Sequence, residues 1–134
     1  MKEGKTMHII EQKNRAAAKP YKDTVIFKHG AQKLRLQVRA DPFAALCQMD
    51  TALDTMRKAE TKIKANPADA EAQEEYGGAV LDFFAAVFGE DQTLAIVDFY
   101  KGLPGFMLRD VKRYIIGTAL PKIKKLAAKQ SRRA

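Results

Sequence analysis

The sequence predicts an α+β fold that is mainly α: a small N-terminal β-hairpin, then three to four helices packed around an aromatic core. Three observations predict it. A strict period of two occurs only within residues 24–39. From Asp41 onward, apolar residues recur at three- and four-residue steps between capping and stop signals. The chain has 134 residues, 46% apolar and 30% charged, enough for one sizeable core and too few for two. These divide it into a mobile basic arm (1–22), one globular domain (23–121) and a basic helical extension (122–134).

The arm holds Gly4, Ala16-Ala17-Ala18, Pro20 and scattered cations around one apolar pair, Ile9-Ile10, too little to offset the cost of ordering. In the hairpin (24–39), Lys33-Leu34-Arg35-Leu36-Gln37-Val38-Arg39 alternates strictly, so Leu34, Leu36 and Val38 share a face. Thr24-Val25-Ile26-Phe27 is β-branched and aromatic, and Gly30 suits the tight turn between the two runs. An isolated hairpin is barely stable in water, so that face, Leu36 included, must lie on other elements.

Asp41-Pro42 starts a helix of about 41–65, with a capping Asp and Pro in the first helical position, and Asn66-Pro67 stops it. Its apolar stripe is expected at Leu46, Met49, Leu53, Met56 and Ile63, interrupted by Glu60. A second helix, about 68–88, puts Tyr76, Val80, Phe83, Phe84, Val87 and Phe88 on one side, which makes Phe83, Phe84 and Phe88 the expected centre of the core. Gly77-Gly78 weakens its middle by roughly 1 kcal/mol per glycine relative to Ala, enough for a break. A short helix of about 91–101 follows Gly89, and Gly102-Leu103-Pro104-Gly105 is a turn. The last helix runs from about Phe106 to Lys129, its part within the domain being about 106–120, with Leu108, Val111, Ile115, Leu120 and Ile123 inward and Pro121 inside it. Pro121 should kink or end it, because proline removes a backbone hydrogen bond. No internal repeat marks the chain.

Charge is split along the sequence. Residues 1–40 carry ten Lys/Arg against three acids, 41–100 four against twelve, and 101–134 ten against Asp110, for an overall +8. Such a basic–acidic–basic pattern suits an acidic partner or another copy of the chain, so a homo-oligomer is expected. No stretch without a charged residue exceeds eight residues, far below the ~20 of a membrane span, so no membrane partner is expected. The lone Cys47 cannot form an internal disulfide and suits a reducing cytosol.

The chemistry on offer is not that of an enzyme. His8 and His29 have no neighbouring ligand at metal spacing, Cys47 on the first helix reads as a small buried hydrophobe, and no glycine-rich phosphate loop occurs. No catalytic residue, metal site or cofactor is expected. Nucleic-acid binding is the alternative reading: the basic ends favour it, as do Arg109, Lys112 and Arg113 on the outer side of the last helix. The acidic middle opposes it, as does the absence of a helix-turn-helix or finger pattern.

Four features together resemble the tail assembly chaperones of long-tailed (siphovirus-type) bacteriophages and prophages. A hairpin leads through Arg39-Ala40-Asp41 into a helix. A middle helix closes with Leu81-Asp82-Phe83-Phe84-Ala85-Ala86-Val87-Phe88-Gly89-Glu90-Asp91. A short helix follows. The last helix runs from Tyr114 through Pro121-Lys122-Ile123-Lys124 into a basic tail. The resemblance spans roughly residues 24–129. It implies a non-enzymatic assembly factor that coats the long helical tape measure protein, keeps it soluble and helps recruit tail tube subunits. Such a factor would act in the cytoplasm of the bacterial host and be absent from the finished virion. It also implies a gene between those for the tail tube and the tape measure protein. The family has no catalytic residues to transfer.

The candidate partner-binding segment is the tail. Lys122, Lys124, Lys125, Lys129, Arg132 and Arg133 give it six positive charges and no acid. Only Ile123 and Leu126 are large and apolar, few for holding it to the core. The expectation is a docking arm hinged at Pro121, with Ile123 and Leu126 packing on a partner helix and the lysines meeting its acids.

Overall fold

The structure, a computed structural model, describes residues 19–133, with side chains to residue 130. The order is β1 (Tyr21–His29), β2 (Gln32–Ala40), α1 (Pro42–Ala65), α2 (Ala70–Phe88), α3 (Glu90–Phe99), α4 (Pro104–Tyr114), a π turn (Ile115–Ala119) and α5 (Leu120–Arg133). The protein is mostly helical, with a two-stranded antiparallel hairpin and a buried aromatic cluster, the fold class the periodicities predict. Residues 1–18 of the expected arm lie outside the described residues. Its end does not: Tyr21 and Lys22 already belong to β1, because Tyr21 is buried and pairs with Ala40.

The hairpin turns through Gly30-Ala31. Gly30 has φ 59° and no other residue type adopts positive φ among the described residues, so the turn has its glycine at the first central position, as type II′ requires. The inner face carries Tyr21, Val25, Phe27, Leu36, Val38 and Ala40, all buried. Asp41 caps α1, its carboxylate accepting the Ala44 N–H at 2.9 Å, and Asp69 caps α2 through the Ala72 N–H at 3.1 Å. Gly89, at φ 79°, closes α2 and lets α3 start at once. Gly77 and Gly78 do not break α2. Both are exposed, and the apolar side of the same turns (Ala79, Val80, Phe83) is buried deeply enough to hold the helix.

Phe83, Phe84 and Phe88 are buried, with Phe84 fully so, and Leu36 and Ile115 lie in the same core. Phe27 from β1 meets Phe88 at 6.0 Å and Tyr100 at 6.2 Å between ring centres, which fastens hairpin to helices.

Two expectations about the helices change. First, Pro121 does not end the last helix: α4, the π turn and α5 form one helical run from 104 to 133. Within it the Leu120 N–H bonds the Ile115 carbonyl, five residues back. In a regular helix the ring of Pro121 would clash with the carbonyl four residues earlier, and the wider π turn just before it accommodates the ring. Second, the buried edge of α1 is shifted from the leucine–methionine stripe, of which Met49 is buried, Leu46, Met56 and Ile63 are half-buried, and Leu53 is exposed. The buried residues are Pro42, Ala45, Met49, Ala52 and Ala59. On α2 the matching edge is Ala72, Ala79, Phe83 and Ala86. Alanine thus recurs every seven residues on both antiparallel helices, at 45, 52, 59 and at 72, 79, 86. Small side chains let the two backbones approach closely, and the closer pair excludes the bulkier leucines from between them.

Candidate protein-interaction surfaces

The expected docking arm has a different geometry. Ile123 is fully buried in the domain's own core, Ala127 is buried and Leu126 half-buried, with α5 packed along α1 and against β1. Ile123 is therefore not available to a partner helix. Its spacing from Ala119, four residues earlier, and to Ala127, four later, supplies the apolar edge that two large residues alone lack. Lys122, Lys124, Lys125 and Lys129 remain exposed. The side chains of Arg132 and Arg133 lie outside the described ones.

A polar tie joins the end of α4 to β1. Tyr114, the last residue of α4, donates its hydroxyl to Asp23 Oδ2 at 2.9 Å, Tyr21 donates to the same oxygen at 3.1 Å, and the two hydroxyls stand 2.6 Å apart. The Thr24 N–H takes the other carboxylate oxygen at 2.8 Å. Burial works against the charge on Asp23, but hydrogen bonds from Tyr114, Thr24 and Tyr21, with nearby Lys122, outweigh it and hold its pKa below the ordinary carboxylate value. Burial, and after it the bonds to Tyr21 and Asp23, push the Tyr114 hydroxyl far above the ordinary tyrosine range. A second buried tyrosine, Tyr100, donates to Asp110 at 2.8 Å. No periodicity identifies these bonds, because their partners lie 91 and 10 residues apart in sequence.

Comparison of the chain with family models, with curated proteins and with solved structures yields no match.

Exposed large apolar side chains lie on several elements (Ile26, Leu94, Phe106 and Ile116 on β1, α3, α4 and the π turn), and two of them share α1. With the alanines turned inward, Phe43 (41% exposed) and Leu53 (39%) stand out from α1, and half-buried Leu46, which also packs on the core, falls between them. Cys47, beside Leu46, is exposed and not the buried hydrophobe expected of it, because it lies off the edge formed by Ala45, Met49 and Ala52. The signal for this row was the seven-residue alanine spacing. Leucine and methionine at neighbouring positions outweigh it when hydrophobicity alone is scored. Among the described residues no helix is long and apolar enough to cross a membrane, and no three His, Cys, Asp or Glu side chains converge as metal ligands.

Proposed function

We propose that this chain is a non-enzymatic tail assembly chaperone of a long-tailed phage or prophage. It binds the helical tape measure protein, keeps it soluble and helps recruit tail tube subunits. It works in the host cytoplasm as an oligomer and leaves before the virion is complete. The observation that carries the reading is the apolar row of α1: the alanine seam leaves Phe43 and Leu53 exposed, with half-buried Leu46 between them, the form in which one helix receives the apolar stripe of another. The succession of hairpin, long helix pair, short helix and basic last helix supports it, being the order that carries the resemblance.

The test is co-expression with the tape measure protein encoded downstream. The full chain is expected to keep that protein soluble, and Phe43→Ser/Leu53→Ser, which alters only partly exposed side chains, is expected to lose most of the effect while still folding. Equal solubilisation by both forms would remove the α1 row as the docking surface. No solubilisation by the full chain would remove the chaperone assignment.

A further inference from the structure

The solvent face of the hairpin carries a charge arrangement that folding does not explain. Lys22 and Lys28 on β1 and Lys33, Arg35 and Arg39 on β2 all point outward, and no acid shares that face. The register sets Lys22 directly opposite Arg39 and Lys28 directly opposite Lys33. Gln37 shows how close these pairs stand. Its N–H donates to Gln92 Oε1 at 3.0 Å and its carbonyl accepts from Gln92 Nε2 at 2.7 Å, so both groups point away from β1. Thr24–Gln37 is therefore a non-hydrogen-bonded pair, and by alternation so are Lys22–Arg39, Ile26–Arg35 and Lys28–Lys33, the kind whose side chains lie nearest. Like charges so placed destabilise a hairpin. Among the described residues none of the five has a carboxylate within 4.0 Å.

Protection of an open sheet edge is the ordinary use of surface lysines on a strand. It accounts for Lys22 and Lys28 on the open β1 edge. It fits Lys33, Arg35 and Arg39 less well, because Gln92 takes up both backbone groups of Gln37 in the middle of the β2 edge and α2 and α3 pack against that strand.

We propose that this face is a sequence-independent docking surface for the sugar–phosphate backbone of duplex DNA. Size separates this ligand from an acidic protein. Nine residues per strand make a face about 30 Å long and about 10 Å wide, roughly 300 Å², against about 800 Å² per partner in a stable protein interface. Phosphate binding draws its affinity from counterion release and needs no such area. The face has no aromatic side chain on which unpaired bases could stack, which selects duplex over single strand. A two-stranded ribbon about 10 Å wide matches the roughly 12 Å major groove of B-form DNA, whereas the deep, narrow major groove of A-form RNA does not admit it, which selects DNA over RNA. The proposal does not depend on the chaperone reading.

The test is fluorescence anisotropy of the full chain on a labelled 20-base-pair DNA duplex of arbitrary sequence, between 50 and 200 mM salt. Five phosphate contacts give a log–log slope of affinity against salt of about −4.5. Lys33→Gln/Arg35→Gln/Arg39→Gln should flatten the slope to about −2 and lower the affinity roughly 100-fold at 0.1 M salt. Lys124→Gln/Lys125→Gln/Lys129→Gln removes the same charge from α5 and should stay within about threefold of the parent. The hairpin variant should melt no lower than the parent, since it relieves like-charge contacts. If it fails to fold, Lys33→Gln and Arg35→Gln are read singly, each flattening the slope by about 0.9. The proposal is overturned if the duplex is not bound at 50 mM salt, or if the α5 variant loses as much affinity as the hairpin variant. Equally tight binding of duplex RNA, single-stranded DNA or a glutamate-rich peptide would also overturn it.

Discussion

The alanine seam between α1 and α2 makes a prediction that runs against residue hydrophobicity. Ala52 is 3% exposed and belongs to the contiguous core, whereas its neighbour Leu53 is 39% exposed. Replacing Ala52 by Leu inserts three carbons where two helix backbones are held close by small side chains. Overpacking of that kind costs about 1–3 kcal/mol, and a tight seam places this site toward the upper end. Replacing Leu53 by Ala removes three carbons that keep only part of their surface covered. Full burial of a leucine contributes about 1.5–3 kcal/mol, so the loss here should be about 1 kcal/mol, offset by a few tenths from alanine's helix propensity. For a chain of this length 1 kcal/mol corresponds to roughly 4 °C of melting temperature. Ala52→Leu should therefore melt about 8–12 °C below the parent, and Leu53→Ala no more than about 4 °C below it. Urea denaturation followed by circular dichroism checks both, with m-values required to stay constant so that the midpoints report stability. If Leu53→Ala proves the more damaging of the two, the helices meet through their leucines and the seam described here is wrong.

Truncation after Leu120 removes fully buried Ile123 together with Ala127 and half-buried Leu126, so the shortened chain should unfold or aggregate rather than persist as a domain without its tail; a cooperative melt near that of the full chain would refute the packing of α5. Asp23→Asn should cost about 1–2 kcal/mol at neutral pH by weakening charge-assisted bonds from Tyr114, Tyr21 and Thr24. The folded pKa of Asp23 lies below its ordinary 3.8, so its contribution is fully present above that value and is lost as pH falls through the folded pKa. The stability gap between parent and Asp23→Asn should accordingly narrow in acid, and a gap that is unchanged from pH 7 to pH 2 would show that the carboxylate charge is irrelevant there.

Local rules account for most of what was legible in this chain. The alternation at residues 33–39, Gly30 at the turn, Asp41-Pro42 and Asn66-Pro67 around α1 and Gly89 between α2 and α3 each act within a few residues. They therefore specify the hairpin, the helix boundaries and the inward Phe83, Phe84 and Phe88 without reference to the rest of the molecule. Three features depended on neighbours far away in sequence. Which stripe of α1 is buried follows from how closely α2 can approach, a property of Ala45, Ala52 and Ala59 taken together with Ala72, Ala79 and Ala86. Whether Pro121 ends a helix depends on the adjoining π turn and on whether the residues beyond it have a surface to pack against; Ile123 and Ala127 find one on α1 and β1. The outward cations of the hairpin gain significance only once β1–β2 register pairs them and Gln92, 55 residues from Gln37, takes up the backbone groups of Gln37 on the β2 edge. Backbone preference and capping are short-range and can be read along the chain, whereas helix separation, burial of a tail and opposition of like charges belong to pairs of elements and exist only after those elements meet.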